Sequence, residues 1–177
     1  AREGLALLGK STKNMMRMIA SLSDHIRLDR EETFDLYDAG ELVDLALEAN
    51  SLAISECAAK MTVQIASPAP KINCVGPKIV QVLQNLIANA LKFCDEEKPC
   101  IHIKVRKSDG DGAVFDVQDN GIGIPEEFHE KIFEPFKRVP GRQARNGTGL
   151  GLATCKKNVV FHGGTISCSK VASGGST

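Results

Sequence analysis

Three short stretches hold the residues whose types and spacing could do chemistry: an amide-rich helix face, a carboxylate among glycines, and a glycine-rich anion site. Asn85, Asn89 and Lys92 stand at i, i+4 and i+7, the spacing of one helix face, opposite Leu83, Ile87 and Leu91. That polar face is rich in amides, which both donate and accept hydrogen bonds. Asp119-Asn-Gly121-Ile-Gly123 follows an alternating run. Its carboxylate can accept from an amino group, and its glycines permit tight turns and close backbone approach to a ligand. Asn146-Gly147-Thr148-Gly149-Leu150-Gly151 opens a helical pattern, where freed backbone N–H groups form an anion site. From Lys137 to Lys157 the chain holds Lys137, Arg138, Arg142, Arg145, Lys156 and Lys157 and no acidic residue, so a cationic patch surrounds that site. Neither G-x-x-x-x-G-K-[ST] nor the dinucleotide fingerprint occurs. Taken singly, the three stretches also fit a solvated helix face, a turn and a flexible loop.

The elements that must position these residues are legible from periodicity. A helix is expected from Pro77 to about Phe93, with Ile79, Val80, Leu83, Ile87, Ala90 and Leu91 apolar and a proline in its first turn. Phe34 to Asn50 reads as a linker and helix with Leu36, Leu42, Val43, Ala46 and Leu47 on one face. Residues 61–65 alternate like a strand before Ser67-Pro-Ala-Pro70 breaks the chain. Residues 101–106 and 113–117 alternate as well, and the two Asp-Gly pairs between them suit a hairpin. A helix from about Gly149 to His162 is stopped by Gly163-Gly164, and residues 165–169 resemble a further strand. Upstream, Leu5, Leu8, Thr12, Met15, Ile19, Leu22 and Ile26 follow 3,4 spacing, a coiled-coil seam that needs a partner helix.

Composition narrows the class. The chain has 177 residues, 42% apolar and 25% charged, with 22 Lys plus Arg against 22 Asp plus Glu. A zero net charge lacks the footprint of a dedicated nucleic-acid binder. No run of about eighteen apolar residues and no leader pattern is present, so neither a membrane span nor a signal peptide is expected. The missing initial Met points to an excised fragment. Six cysteines without a C-x-x-C pair are expected to be small buried hydrophobes in a reducing, cytoplasmic compartment.

Taken in order, the motifs resemble the ATP-binding domain of sensor histidine kinases, in the wider family shared with DNA gyrase, Hsp90 and MutL. Residues 85–93 look like the N box, 119–123 like the G1 box, Ile132-Phe-Glu-Pro-Phe136 like the F box, and Gly147-Thr-Gly-Leu-Gly151 like the G2 box. The resemblance implies an α/β (α+β) two-layer sandwich, a mixed sheet packed on helices, preceded by the long heptad helix. Residues 1–32 would be the second helix of a dimerisation and phosphotransfer hairpin. Residues 33–177 would be the catalytic ATP-binding domain with its last strand truncated.

The resemblance also implies roles. Asn89 would coordinate Mg²⁺, Lys92 and Asn85 would lie near the phosphates, and Asp119 would accept from the adenine amine. Gly121 and Gly123 would let the backbone approach the base, while Gly147, Thr148, Gly149, Leu150 and Gly151 would shape the lid and phosphate cradle. Phe133 and Phe136 would anchor the lid, and Arg138 would meet phosphate. Asn85 stands where related ATP hydrolases carry a water-activating Glu, which favours phosphoryl transfer over hydrolysis.

None of His25, His102, His129 and His162 has the neighbours of a phosphoacceptor. His129-Glu130 starts like one, but Phe133 and a late Pro135 spoil it, so His129 is read as a surface or lid-base residue. The acceptor would then lie upstream. The leading reading is a kinase fragment that binds Mg·ATP, dimerises through its first helix and relays phosphate to a response-regulator receiver domain. It makes no nucleic-acid or direct membrane contact. A dimerising pseudokinase with an ATP-like pocket is the alternative, and a gyrase-like or chaperone-like ATPase is disfavoured by Asn85 and a short lid.

Overall fold

The computed structural model describes residues 33–94, 98–140, 148–170 and 175–177. The heptad seam in residues 1–32, together with Arg142, Arg145, Asn146 and Gly147, lies outside the described residues.

The chain order is β1 (Asp35–Asp38), α1 (Ala39–Ala49), α2 (Ser51–Glu56), β2 (Lys60–Ile65), β3 (Lys71–Cys74), α3 (Gly76–Lys92), β4 (Cys100–Lys107), β5 (Ala113–Asp119) and α4 (Gly151–Phe161). Two short 3₁₀ turns, Glu126–Phe128 and Lys131–Phe133, lie between β5 and α4. β2 pairs parallel with β4, and β4 pairs antiparallel with β5, with Ile101 opposite Asp119. A separate antiparallel pair joins β1 to β3. The α/β sandwich of a mixed sheet on helices is therefore as expected.

Each element follows from local chemistry. Asp38 caps α1 by accepting from Gly40 N (2.7 Å) and Glu41 N (3.4 Å). Pro77 occupies the first turn of α3, where its missing N–H leaves no intrahelical bond unmade. β4 is the central strand: Ile101, Ile103 and Val105 are buried, while Lys104 and Arg106 point to solvent. These residues pack with Leu42, Val43 and Ala46 of α1 and Leu83, Ile87, Ala90 and Leu91 of α3 in one core. Burial of each large aliphatic side chain there contributes about 1.5–3 kcal/mol. That core fixes α3 against the sheet.

Several expectations need correction. Leu36, assigned to the first helix face, lies in β1 and is 61% exposed. The short strands β1 and β3 and the helix α2 were not anticipated, because four to six residues show little periodicity without their partners. The expected strand at residues 165–169 is not regular. Ser169 and Thr177 exchange backbone hydrogen bonds (2.8 and 3.0 Å), and only Lys170 and Ser176 form a bridge. Among the cysteines, Cys74 and Cys155 are buried, and burial pushes the Cys74 thiol up to about 11. Cys57 and Cys100 are instead exposed, one in the turn after α2 and one at the start of β4; all six are free thiols.

Candidate functional site

The helix α3 carries Asn85, Asn89 and Lys92, and the flanking loops meet it at both ends. At its C-terminal end Ile122 N donates to Phe93 O (3.1 Å). A β-carbon on Gly121 would stand only 2.7 Å from that same oxygen, so no larger residue fits there. At the other end, Asn85 Oδ1 lies 3.3 Å from the point where a β-carbon on Gly151 would be. From Asn85 to Phe93 is roughly 12 Å of helix. The loop after β5 and the start of α4 thus bracket one stretch of α3, with Asn89 and Lys92 between them.

Asp119, at the end of β5, is held from two directions. Its Oδ1 accepts from Gly121 N (2.8 Å) and Ser176 N (3.3 Å), and its Oδ2 accepts from Ser176 Oγ (2.9 Å). A carboxylate offers about four acceptor sites, so one remains for a ligand amine. The backbone beside it is tied as well: Asp119 N donates to Ser176 O (2.9 Å). Asn120 braces the corner, accepting from Cys100 N (2.8 Å) and donating through Nδ2 to Lys98 O (3.4 Å). Gly123 adopts φ +63° in the same loop. Burial, and secondly the Asp119 charge nearby, push the Cys168 thiol up.

The segment between the F and G2 boxes leaves and returns at one point. Phe136 N donates to Gly149 O (2.9 Å), with φ +62° at Phe136 and +74° at Gly149. A β-carbon on Gly149 would meet Phe136 Cα at 3.0 Å, so glycine is required both for the conformation and for the approach. Phe133 is buried beside α4. Phe136 is not: its ring is 59% exposed, and its backbone makes the tie. Thr148 Oγ1 accepts from Leu150 N (3.3 Å), and Leu150 is buried where α4 begins.

Asn89 is half-buried, and its amide has no hydrogen-bond partner among the described residues. A neutral amide oxygen suits Mg²⁺, which keeps waters and phosphate oxygens around it. Among the described residues, no three His, Cys, Asp or Glu side chains gather to hold a metal. Lys92 Nζ lies 4.7 Å over the Phe93 ring, turned toward the G1 end of the helix. Arg138 stands apart: it lines a cavity of about 280 Å³ with Phe128, Lys131, Ile132 and Lys137, and none of Asn85, Asn89, Lys92 and Asp119 lines it. Lys131 extends the expected basic patch at Lys137 and Arg138.

Three residues with evident roles escaped sequence reasoning. Ser176 holds Asp119, yet three terminal residues carry no periodicity. Asn158 is 3% exposed and bonds across helices, but an amide in a helix reads as surface. His162 joins the C-terminus of α4 to the start of α3, accepting from Val75 N at Nε2 (3.0 Å) while its Nδ1–H donates to Asn158 O (2.6 Å). His129 donates from Nε2 to Ile124 O (2.9 Å).

Known proteins share this fold. The chain is 35% identical over 167 residues to cyanobacterial phytochrome A of Nostoc sp. (strain PCC 7120 / SAG 25.82 / UTEX 2576), covering 94% of this chain and 21% of that protein. It therefore spans about a fifth of that relative's length. The catalytic domain of histidine kinase ThkA superposes with a TM-score of 0.70 at 28% identity, covering 81% of this chain and 91% of that one. Full-length ShkA in complex with AMPPNP gives a TM-score of 0.80 at 24% identity, over 99% of this chain and 37% of that one. Residues 74–177, which hold α3, the Asp119 corner and the neck at Phe136 and Gly149, match the family model described as histidine kinase-, DNA gyrase B-, and HSP90-like ATPase, and the chain belongs to that family.

Proposed function

We propose that the chain is the catalytic, ATP-binding part of a sensor histidine kinase, with adenine at Asp119 and the phosphates toward Asn85 and the start of α4. The observation that carries this reading is the bracketing of one α3 stretch by the Gly121 corner and by Gly151. The likeness to ShkA, solved with AMPPNP, supports an adenine nucleotide as ligand.

In this reading the open acceptor site on Asp119 takes the exocyclic amine, and Gly121 and Gly123 let the backbone lie against the base. Asn89 would hold Mg²⁺ through its amide oxygen, and Lys92 would add positive charge. Bound Mg²⁺ would neutralise charge developing between the β- and γ-phosphates. Gly147 and Gly149 with Thr148, Leu150 and Gly151 would form the phosphate cradle, and Arg138 would meet phosphate. Asn85 supplies no general base for water, so the γ-phosphoryl would pass to a protein nucleophile. That nucleophile would be a histidine on a helix preceding residue 1, with residues 1–32 as the dimerisation helix and a receiver-domain aspartate as the next acceptor.

The test is calorimetric titration of the chain with a non-hydrolysable ATP analogue, with and without Mg²⁺. Saturable binding strengthened by Mg²⁺ supports the reading. Absence of binding by a folded sample contradicts it and favours the pseudokinase alternative. Transfer of labelled γ-phosphate to an added histidine-bearing helix would then distinguish kinase from ATPase.

A further inference from the structure

A line of polar contacts runs along the packed faces of α3 and α4, and it ends at Asn85. It starts where Val75 N donates to His162 Nε2 (3.0 Å). One turn on, Asn158 Nδ2 donates to Gln81 Oε1 (2.9 Å) and Lys78 O (3.4 Å). Next, the Cys155 thiol donates to Val82 O (3.7 Å) and is hydrogen-bonded to the Asn85 side chain. The positions on α3 rise in steps of three or four while those on α4 fall in the same steps, so the two helices pack antiparallel along the seam.

Cys155 is fully buried and Asn158 nearly so. Burial pushes the Cys155 thiol up to about 12, so its single hydrogen stays in place and points to Val82 O. Asn85 must then be the donor to sulfur. Its amide nitrogen turns toward Cys155, and its oxygen faces Gly151 at the start of α4. A neutral apolar seam would pack at least as well, because buried polar groups contribute little net stability and serve instead to fix one arrangement.

We propose that Cys155 and Asn158 are positioning residues for nucleotide binding: the seam locks the rotation of α3 against α4 and sets which way the Asn85 amide faces. This inference rests on the nucleotide-site reading above. It assigns these two residues no contact with nucleotide.

The test compares three variants of the chain by thermal melting and by titration with the ATP analogue and Mg²⁺. Cys155→Val removes the thiol's hydrogen bonds while keeping an apolar side chain; the pair Gln81→Leu with Asn158→Leu removes the central link without stranding a partner. Both should melt at or above the wild-type temperature yet bind about fivefold more weakly, the loss expected when one hydrogen bond no longer holds its group. Cys155→Ser restores donor and acceptor and should bind within about twofold of wild type despite a lower melting temperature. If binding instead follows stability, with Val best and Ser worst, or if the two apolar variants bind like wild type, the seam is packing only and the proposal is overturned. Failure of the wild-type chain itself to bind would overturn the nucleotide-site reading, and this inference with it.

Discussion

At the G1 end of α3 the key side chain is held by three hydrogen bonds, whereas at the lid end two loops meet through one backbone bond beneath an exposed ring. Asp119 is oriented before any ligand arrives, with Gly121 on one side and Ser176 on the other. The neck at Phe136 and Gly149 fixes only where a loop begins and ends. Under the proposed function, affinity at the Asp119 end would depend on side-chain identity, and at the other end on backbone conformation. A preorganised acceptor loses no freedom on binding.

The largest effect should come from Asp119→Asn. The amide nitrogen would face donors, and titration should show about 10- to 100-fold weaker binding of the ATP analogue, the range for a lost charge-assisted hydrogen bond. Unchanged affinity would break the assignment of this end to the base. Asn89→Ala, between the two ends, should lower Mg²⁺-dependent affinity about tenfold and leave metal-free binding nearly unaltered. An equal loss in both conditions would remove its metal role.

At the neck, Gly149→Ala should lower stability by about 1–2 kcal/mol, because φ +74° disfavours a side chain and Phe136 Cα stands in its way. Its melting temperature should fall by several degrees. The smallest effect should come from Phe136→Ala, within about 0.5 kcal/mol of wild type, since the exposed ring contributes little and the tie is made by the backbone. A large loss there would restore the ring as the anchor.

Much of this was legible in the sequence because the informative residues sit in long periodic elements. The apolar stripe of α3 put Asn85, Asn89 and Lys92 on one helix, and the alternation in β4 and β5 brought Asp119 to a strand end. Four-residue strands were not legible: Asp35–Asp38 is a strand only because Lys71–Cys74 lies beside it. Ser176 was hidden for the same reason, since its partner is 57 positions away. The backbone tie from Phe136 to Gly149 was not legible either, since a motif resemblance names the residue but not which of its atoms makes the contact. Asn85 was placed on a polar face but meets Cys155 at a helix interface, a contact that periodicity within one helix cannot reveal. Among the described residues, no helix is long and apolar enough to cross a membrane.

The central claim is that Asp119 receives an exocyclic amine, and base selectivity tests it most directly. Titration of the chain with matched adenine and guanine nucleotide analogues in Mg²⁺ should show adenine favoured by at least about tenfold, because guanine presents a carbonyl acceptor where adenine presents a donor. Equal affinity for the two bases would contradict the account.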